Sequence, residues 1–270
     1  MFVAIALVVV ALISLSSPTI LPVERGLSGL FSPRATSECP FANSASCTNT
    51  TAISDTCCFE SPGGLLLLSQ FWTVNPPTGP SDSWTIHGLW PDLCNGEFIQ
   101  DCDPSRAYTD ITGLLTSAGE SDTLSTMQRY WPDYHGRNEQ FWEHEWSKHG
   151  TCMSTLRPQC LPDESSAGTD AILYFKTIIR LFRAYDIYKT LKTANIRPGA
   201  TYSLSSLQAA LRRAFKVMPD FRCTRGNLDQ IYLYFHLRGS AIDGQFIPID
   251  APTRSNCPAR VNYPVKRSPN

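Results

Sequence analysis

Residues 141–152 read FWEHEWSKHGTC and pack two histidines, a glutamate and a lysine into positions 144–149. Read as a helix turning about 100° per residue, Phe141, His144, Glu145, Lys148 and His149 fall within an arc of roughly 140°. Trp142 and Trp146, four apart, share the opposite side, where paired indoles hold a helix against a core. Chemistry therefore faces out and anchors face in. Gly150 is the expected helix stop, a residue that takes positive φ at no steric cost, and Cys152 just beyond it can bolt the end down. His149 then lies in the last turn, where the negative end of the helix dipole favours an imidazolium. A merely solvated charged face does not account for two histidines beside a phenylalanine. A zinc helix needs histidines at i and i+4. Here the second histidine is at i+5 and Lys148 holds the i+4 place, so a metal is not expected.

Working outward, residues 63–74, GGLLLLSQFWTV, have the continuous apolar character of a strand buried on both faces. A Pro/Gly loop separates them from SWTIHGLWPDLC at 83–94. Strand alternation sets Trp84 and Ile86 against Thr85 and His87, and Gly88 and Pro91 then break the ladder. His87 is thus expected at a strand's end, beside a loop carrying Trp90 and Asp92. Further on, Thr169-Asp170 is read as the cap of a long amphipathic helix reaching about Leu191. A second helix runs from Ser205, with Gln208 completing a capping box, to Phe215. NLDQIYLYFHLRG at 227–239 alternates as a strand. His135 and His236 read as structural or solvated. The balance of elements predicts an α+β domain with an antiparallel or mixed sheet.

The chain opens on MFVAIALVVVALISL, an apolar run of signal-peptide length and too short to span a bilayer comfortably. Residues 1–17 are expected to be a removed signal peptide, and 18–38 a pro-segment or flexible lead-in. No second long apolar run follows, so a soluble mature protein without a membrane segment is expected. On the order of 230 residues then remain, enough for one well-buried domain. The ten cysteines, Cys39, Cys47, Cys57, Cys58, Cys94, Cys102, Cys152, Cys160, Cys223 and Cys257, are spread along the chain, as in a disulfide framework, and spacing alone does not say which partners which. Asn49-Thr50-Thr51 is a glycosylation sequon, consistent with the secretory route. The net charge of −1 excludes a broad basic surface, so any polyanion must be held locally.

Together, SWTIHGLWPD and FWEHEWSKHGTC closely resemble the two active-site signatures of the ribonuclease T2 family of secreted acid ribonucleases. The resemblance covers about residues 39–265 and is nearest the fungal branch. It implies a central antiparallel sheet flanked by helices, with bridges Cys39 to Cys58, Cys47 to Cys94, Cys57 to Cys160, Cys102 to Cys152 and Cys223 to Cys257. It further implies His87 as general acid for the departing 5′ oxygen and His149 as general base for the 2′ hydroxyl. His144 matches a phosphate-binding position, and Glu145 and Lys148 match the pair that steadies the phosphorane. Trp90, Phe98 and Phe141 match base-stacking positions, and Asp92 one that hydrogen-bonds a base edge. Two departures bear on base preference: Phe98 stands where fungal relatives often carry Tyr, and Phe71 where many members carry Gln. The implied protein is a monomeric extracellular endoribonuclease, or one of a vacuole-like compartment. It cleaves single-stranded RNA, not DNA, without metal or cofactor, through a 2′,3′-cyclic phosphate to 3′-phosphate ends. The competing expectation is a secreted binding or signalling protein that keeps the fold without catalysis.

Overall fold

A computed structural model describes residues 44–48, 53, 55–162 and 164–267. Cys39, Asn49 and the N-terminal apolar run lie outside the described residues, and so do the expectations that rest on them. The strands are β1 (Leu65–Phe71), β2 (Thr85–Asp92), β3 (Ala200–Ser203), β4 (Asp220–Thr224), β5 (Asn227–Arg238), β6 (Gln245–Ile249) and β7 (Arg260–Tyr263). The α-helices are α1 (Ile111–Ser117), α2 (Ser121–Tyr130), α3 (Asn138–His144), α4 (Thr169–Ala184), α5 (Ile187–Thr193) and α6 (Leu204–Phe215).

The tetraleucine run forms the middle of the sheet because it has partners on both sides. β1 pairs antiparallel with β2 along one edge and with β5 along the other, and Leu65 to Gln70 are all buried. The sheet order is β2-β1-β5-β7-β3, with β4 and β6 also paired to β5. Among the described residues, the pairings between these strands are antiparallel except for one parallel contact, Asn227 with Asn262 between β5 and β7. The predicted α+β class with an antiparallel sheet flanked by helices is therefore the fold observed.

Several boundaries differ from the sequence reading. β2 continues through Gly88 and Pro91 to Asp92, so His87 is not at a strand's end but within the strand. Pro91 is tolerated because β2 is the edge strand, where a missing N–H costs no ladder bond. The register shifts between Ser69 and Gln70 of β1, which face Gly88 and Ile86, leaving His87 as the extra residue of a bulge. The long helix ends at Ala184 instead of Leu191. Asp186 caps the separate α5 by accepting from Lys189 N–H at 2.8 Å. Gly168, at φ 87°, is the N-cap of α4 in place of Thr169-Asp170, and Asp170 instead pairs with buried Arg106 at 3.2 Å. α6 begins one residue early, capped by Ser203 through the Ser206 N–H.

Four disulfides join Cys47 to Cys94, Cys57 to Cys160, Cys102 to Cys152 and Cys223 to Cys257 among the described residues, four of the pairs the resemblance implies. The buried tryptophans are hydrogen-bonded as well as packed, as expected of indoles removed from water. Trp131 donates to the His87 carbonyl at 2.9 Å, Trp142 to the Trp131 carbonyl at 2.8 Å and Trp146 to the Arg106 carbonyl at 2.6 Å. The first two bonds tie α3 through Trp131 to β2, and the third ties the turn after α3 to the loop at Arg106.

Candidate active site

The helix carrying the second signature does not end at Gly150. α3 gives way at Glu145 to a single π-helical turn, Glu145–His149, in which the Gly150 N–H reaches the Glu145 carbonyl five residues back, and then to a 3-10 turn, Gly150–Cys152. Gly150 has φ −61° and needs no left-handed freedom. What it supplies is space, since a Cβ there would stand 2.3 Å from the Trp146 ring. Cys152 is held to Cys102, and the Asp101 N–H donates to the Lys148 carbonyl at 2.8 Å, so both covalent and hydrogen bonds fix the end of the turn.

The wider turn changes which side chains meet. On a regular α-helix, residues five apart are about 140° from one another; here the His144 and His149 rings lie 6.1 Å apart. Trp142 and Trp146 are buried as predicted, but so are Glu145, fully, and His149, at 7% exposure, while His144 remains exposed. Glu145 and His149 of the chemical face therefore turn into the sheet, while His144 stays toward solvent. Tyr174 of α4 locks this contact by donating to the Leu89 carbonyl at 2.9 Å and lying 3.2 Å from the Glu145 carbonyl.

Glu145 can approach β2 because Gly88 has no side chain: a Cβ on Gly88 would be 2.0 Å from Glu145 Oε2. That oxygen accepts from Trp90 Nε1–H at 2.9 Å. The other, Oε1, is 3.6 Å from His87 Nε2 and has no hydrogen-bond partner. Burial pushes the Glu145 carboxyl up to about 8. His87 stacks on Phe71, with ring centres 4.0 Å apart, and meets Trp90 edge-on at 4.7 Å. Its Nδ1 lies 3.3 Å from Ser69 Oγ, which donates to Gln230 Oε1 at 3.5 Å. With Nδ1 on the Ser69 hydroxyl, Nε2 is turned toward Glu145. His149 stacks on Trp90 at 4.9 Å, and its buried Nδ1 has no partner. Desolvation, reinforced by neighbouring cationic groups including Lys148, holds His87 and His149 down to about 3. His144, exposed at its edge but partly desolvated by its neighbours, is lowered by that desolvation and by Lys148, with Asp101 acting in the opposite sense.

His87, Glu145 and His149 are thus gathered around the single indole of Trp90, with His144 and Lys148 on the same turn. Asp92, 8% exposed and pushed up to about 7 by burial, ends the same strand. Phe141 lies 5.9 Å from His87, whereas Phe98 is 70% exposed. His135 is exposed against Tyr134, and His236 is half-buried on β5. Ser69, Gly88, Tyr174 and Gln230 were not legible as parts of the site, because each acts through a register or a close approach that has no sequence motif. One sequence argument fails: the i+5 spacing set against a metal does not keep the ligands apart, since the π turn brings a ligand atom from each of His144, Glu145 and His149 within 4.8 Å of the others. Lys148 remains on that turn.

Comparison with known proteins identifies the family. The ribonuclease T2 family profile matches residues 63–247. Ribonuclease Le2 of Lentinula edodes is 53% identical over 76% of this chain and 87% of its own length. Ribonuclease T2 of Aspergillus oryzae is 45% identical over 86% of this chain and 85% of its own. The crystal structure of Actibind, a T2 ribonuclease, superimposes with a TM-score of 0.79 at 44% identity, covering 83% of this chain and 96% of that one. The matched region contains both signatures and the strands and turn that position them, and the chain belongs to the ribonuclease T2 family.

Proposed function

We propose that this chain is an endoribonuclease that cleaves single-stranded RNA by metal-independent transesterification, giving a 2′,3′-cyclic phosphate and then a 3′-phosphate end. The observation that carries the reading is the grouping of two imidazoles and a buried carboxyl around one indole, with a lysine on the turn that carries two of them. RNA supplies its own nucleophile, so the protein has to contribute two proton transfers and charge stabilisation. His149 takes the 2′-hydroxyl proton, and His87 gives a proton to the departing 5′ oxygen. Positioned proton transfer is worth roughly 10² to 10⁴-fold each. His144, Lys148 and the protonated Glu145 donate to the phosphoryl oxygens, where fixed donors act in a partly desolvated site.

Both histidines are held neutral in the free protein by burial, and the anionic phosphate is the group that raises them when it binds. Stacking on Trp90, Phe98 and Phe141, with Asp92 at a base edge, favours unpaired bases. DNA, lacking the 2′ hydroxyl, is bound without being cut. In this reading the N-terminal apolar run directs secretion, and the mature protein acts as a monomer free of the membrane; no described helix is long and apolar enough to cross a bilayer. The test is digestion of single-stranded RNA in chelator by the parent protein, His87→Ala and His149→Ala. Each variant is expected to lose at least about a hundredfold in rate. Full activity in either, or loss of parent activity on chelation, contradicts the proposal.

A further inference from the structure

We propose that Arg222 forms a phosphate subsite for the phosphodiester that follows the scissile one, on the leaving-group side. The proposal rests on the catalytic reading above, which makes His87 the acid for the departing 5′ oxygen and so marks the direction in which the downstream chain leaves.

Sheet register sets Arg222 on the face that carries His87. Ser69, whose hydroxyl reaches His87, pairs with Tyr232, and Phe71, stacked on His87, pairs with Gln230. Gln230 in turn pairs with Arg222 of β4, and Tyr232 with Asp220. Directly opposed residues of antiparallel neighbours share a face, so Phe71, Gln230 and Arg222 form one row across β1, β5 and β4. That row lies at the opposite end of the face from Asp92, which opposes Leu65 six residues before Phe71. Two strand spacings, about 10 Å, separate β1 from β4, and the Arg222 guanidinium reaches back over the Tyr232 ring at 5.4 Å. Tyr232 is itself 6.2 Å from Trp90.

The side chain is held ready rather than consumed. Asp220 is fully buried and accepts from Arg222 Nη2 at 2.7 Å, which fixes the plane of the fork, while the Arg222 side chain keeps 29% exposure. Arg222 Nε and Asp220 Oδ1 are buried without hydrogen-bond partners, so what the fork can offer a ligand lies in the exposed part of the side chain. A planar guanidinium with unfilled donors suits a phosphate better than an ammonium does. In a chain of net charge −1, such local cations are the means of holding a polyanion.

The experiment compares a dinucleoside monophosphate with the same molecule carrying a 3′-terminal phosphate, for the parent protein, Arg222→Gln and the double variant Asp220→Asn/Arg222→Gln, which removes the buried charge along with its partner. The parent is expected to favour the 3′-phosphorylated substrate in kcat/KM by roughly fivefold to tenfold, the scale of one ordinary net hydrogen bond at a partly exposed site. Both variants should lose that preference while cleaving the unphosphorylated substrate as the parent does. A preference that survives in the variants, or an equal loss on both substrates, overturns the proposal. Binding of the uncleavable 2′-deoxy pair, measured by calorimetry, separates the two readings. If nothing is cleaved, the catalytic assignment fails while the deoxy pair still decides the subsite.

Discussion

The indole N–H of Trp90 donates to Glu145 Oε2 at 2.9 Å while the same ring stacks on His149 at 4.9 Å. One side chain thereby orients both the buried carboxyl and the candidate base. Trp90→Phe keeps a ring for stacking but removes the donor, so Glu145 loses the bond that partly offsets its desolvation. The expected result is a kcat lower by about tenfold, the scale of one lost hydrogen bond to a buried group, with KM changed less. Steady-state kinetics on a dinucleoside monophosphate checks this, and an unchanged kcat contradicts it.

Burial holds His87 and His149 at about 3 in the free protein, far below their ordinary 6.5. An anion at the scissile position favours the imidazolium, so bound phosphate should raise at least one of them toward the working pH. Histidine proton NMR at pH 5 is expected to show these rings neutral alone and shifted toward the protonated form with saturating uncleavable 2′-deoxy dinucleotide. Identical titration curves with and without the dinucleotide contradict the mechanism.

Glu145 runs the other way. Its folded pKa is raised from 4.5 to about 8, so between those values the folded protein keeps a proton that the unfolded chain has released. Stability from this group is present below 4.5 and is lost as pH rises through 8. Glu145→Gln removes that loss. The variant, which keeps an acceptor for Trp90 and a donor toward the phosphate, should retain activity within about tenfold of the parent and melt higher than it at pH 8, with the difference shrinking toward pH 4.5. Thermal melts across that range test the sign, and a difference that grows on acidification refutes it.

Gly88 is required by the approach of Glu145, since a Cβ there would lie 2.0 Å from the carboxylate oxygen. Gly88→Ala forces the carboxyl or the strand to move, at a cost of about 1–3 kcal/mol for an overpacked site. Denaturant unfolding is expected to show that loss together with a large fall in kcat. Parent-like activity in the variant shows that Glu145 has no need of this position.

Much of this was legible in the sequence, for identifiable reasons. The tetraleucine run and the alternation of residues 227–238 carry strand periodicity directly. The identities on the 141–152 segment announced the chemistry, because two histidines, a glutamate and a lysine in so short a span have no packing purpose. Hidden was whatever depends on partners distant in sequence. The π turn has no compositional mark, yet it decides that Glu145 and His149 are buried. Pro91 looks like a strand breaker until β2 is known to be an edge. The helices at 111–130 carry too few apolar residues to announce themselves, and the break at Tyr185–Asp186 interrupts a pattern that otherwise continues.

The central claim is that His87 and His149 serve one phosphodiester whose own 2′ oxygen is the nucleophile. It is tested most directly by following a ribo-dinucleoside monophosphate by phosphorus NMR in excess chelator. The account predicts a transient 2′,3′-cyclic phosphate signal that decays to the 3′-phosphate, and no reaction of the 2′-deoxy analogue. A 5′-phosphate product, or cleavage of the deoxy analogue, contradicts it.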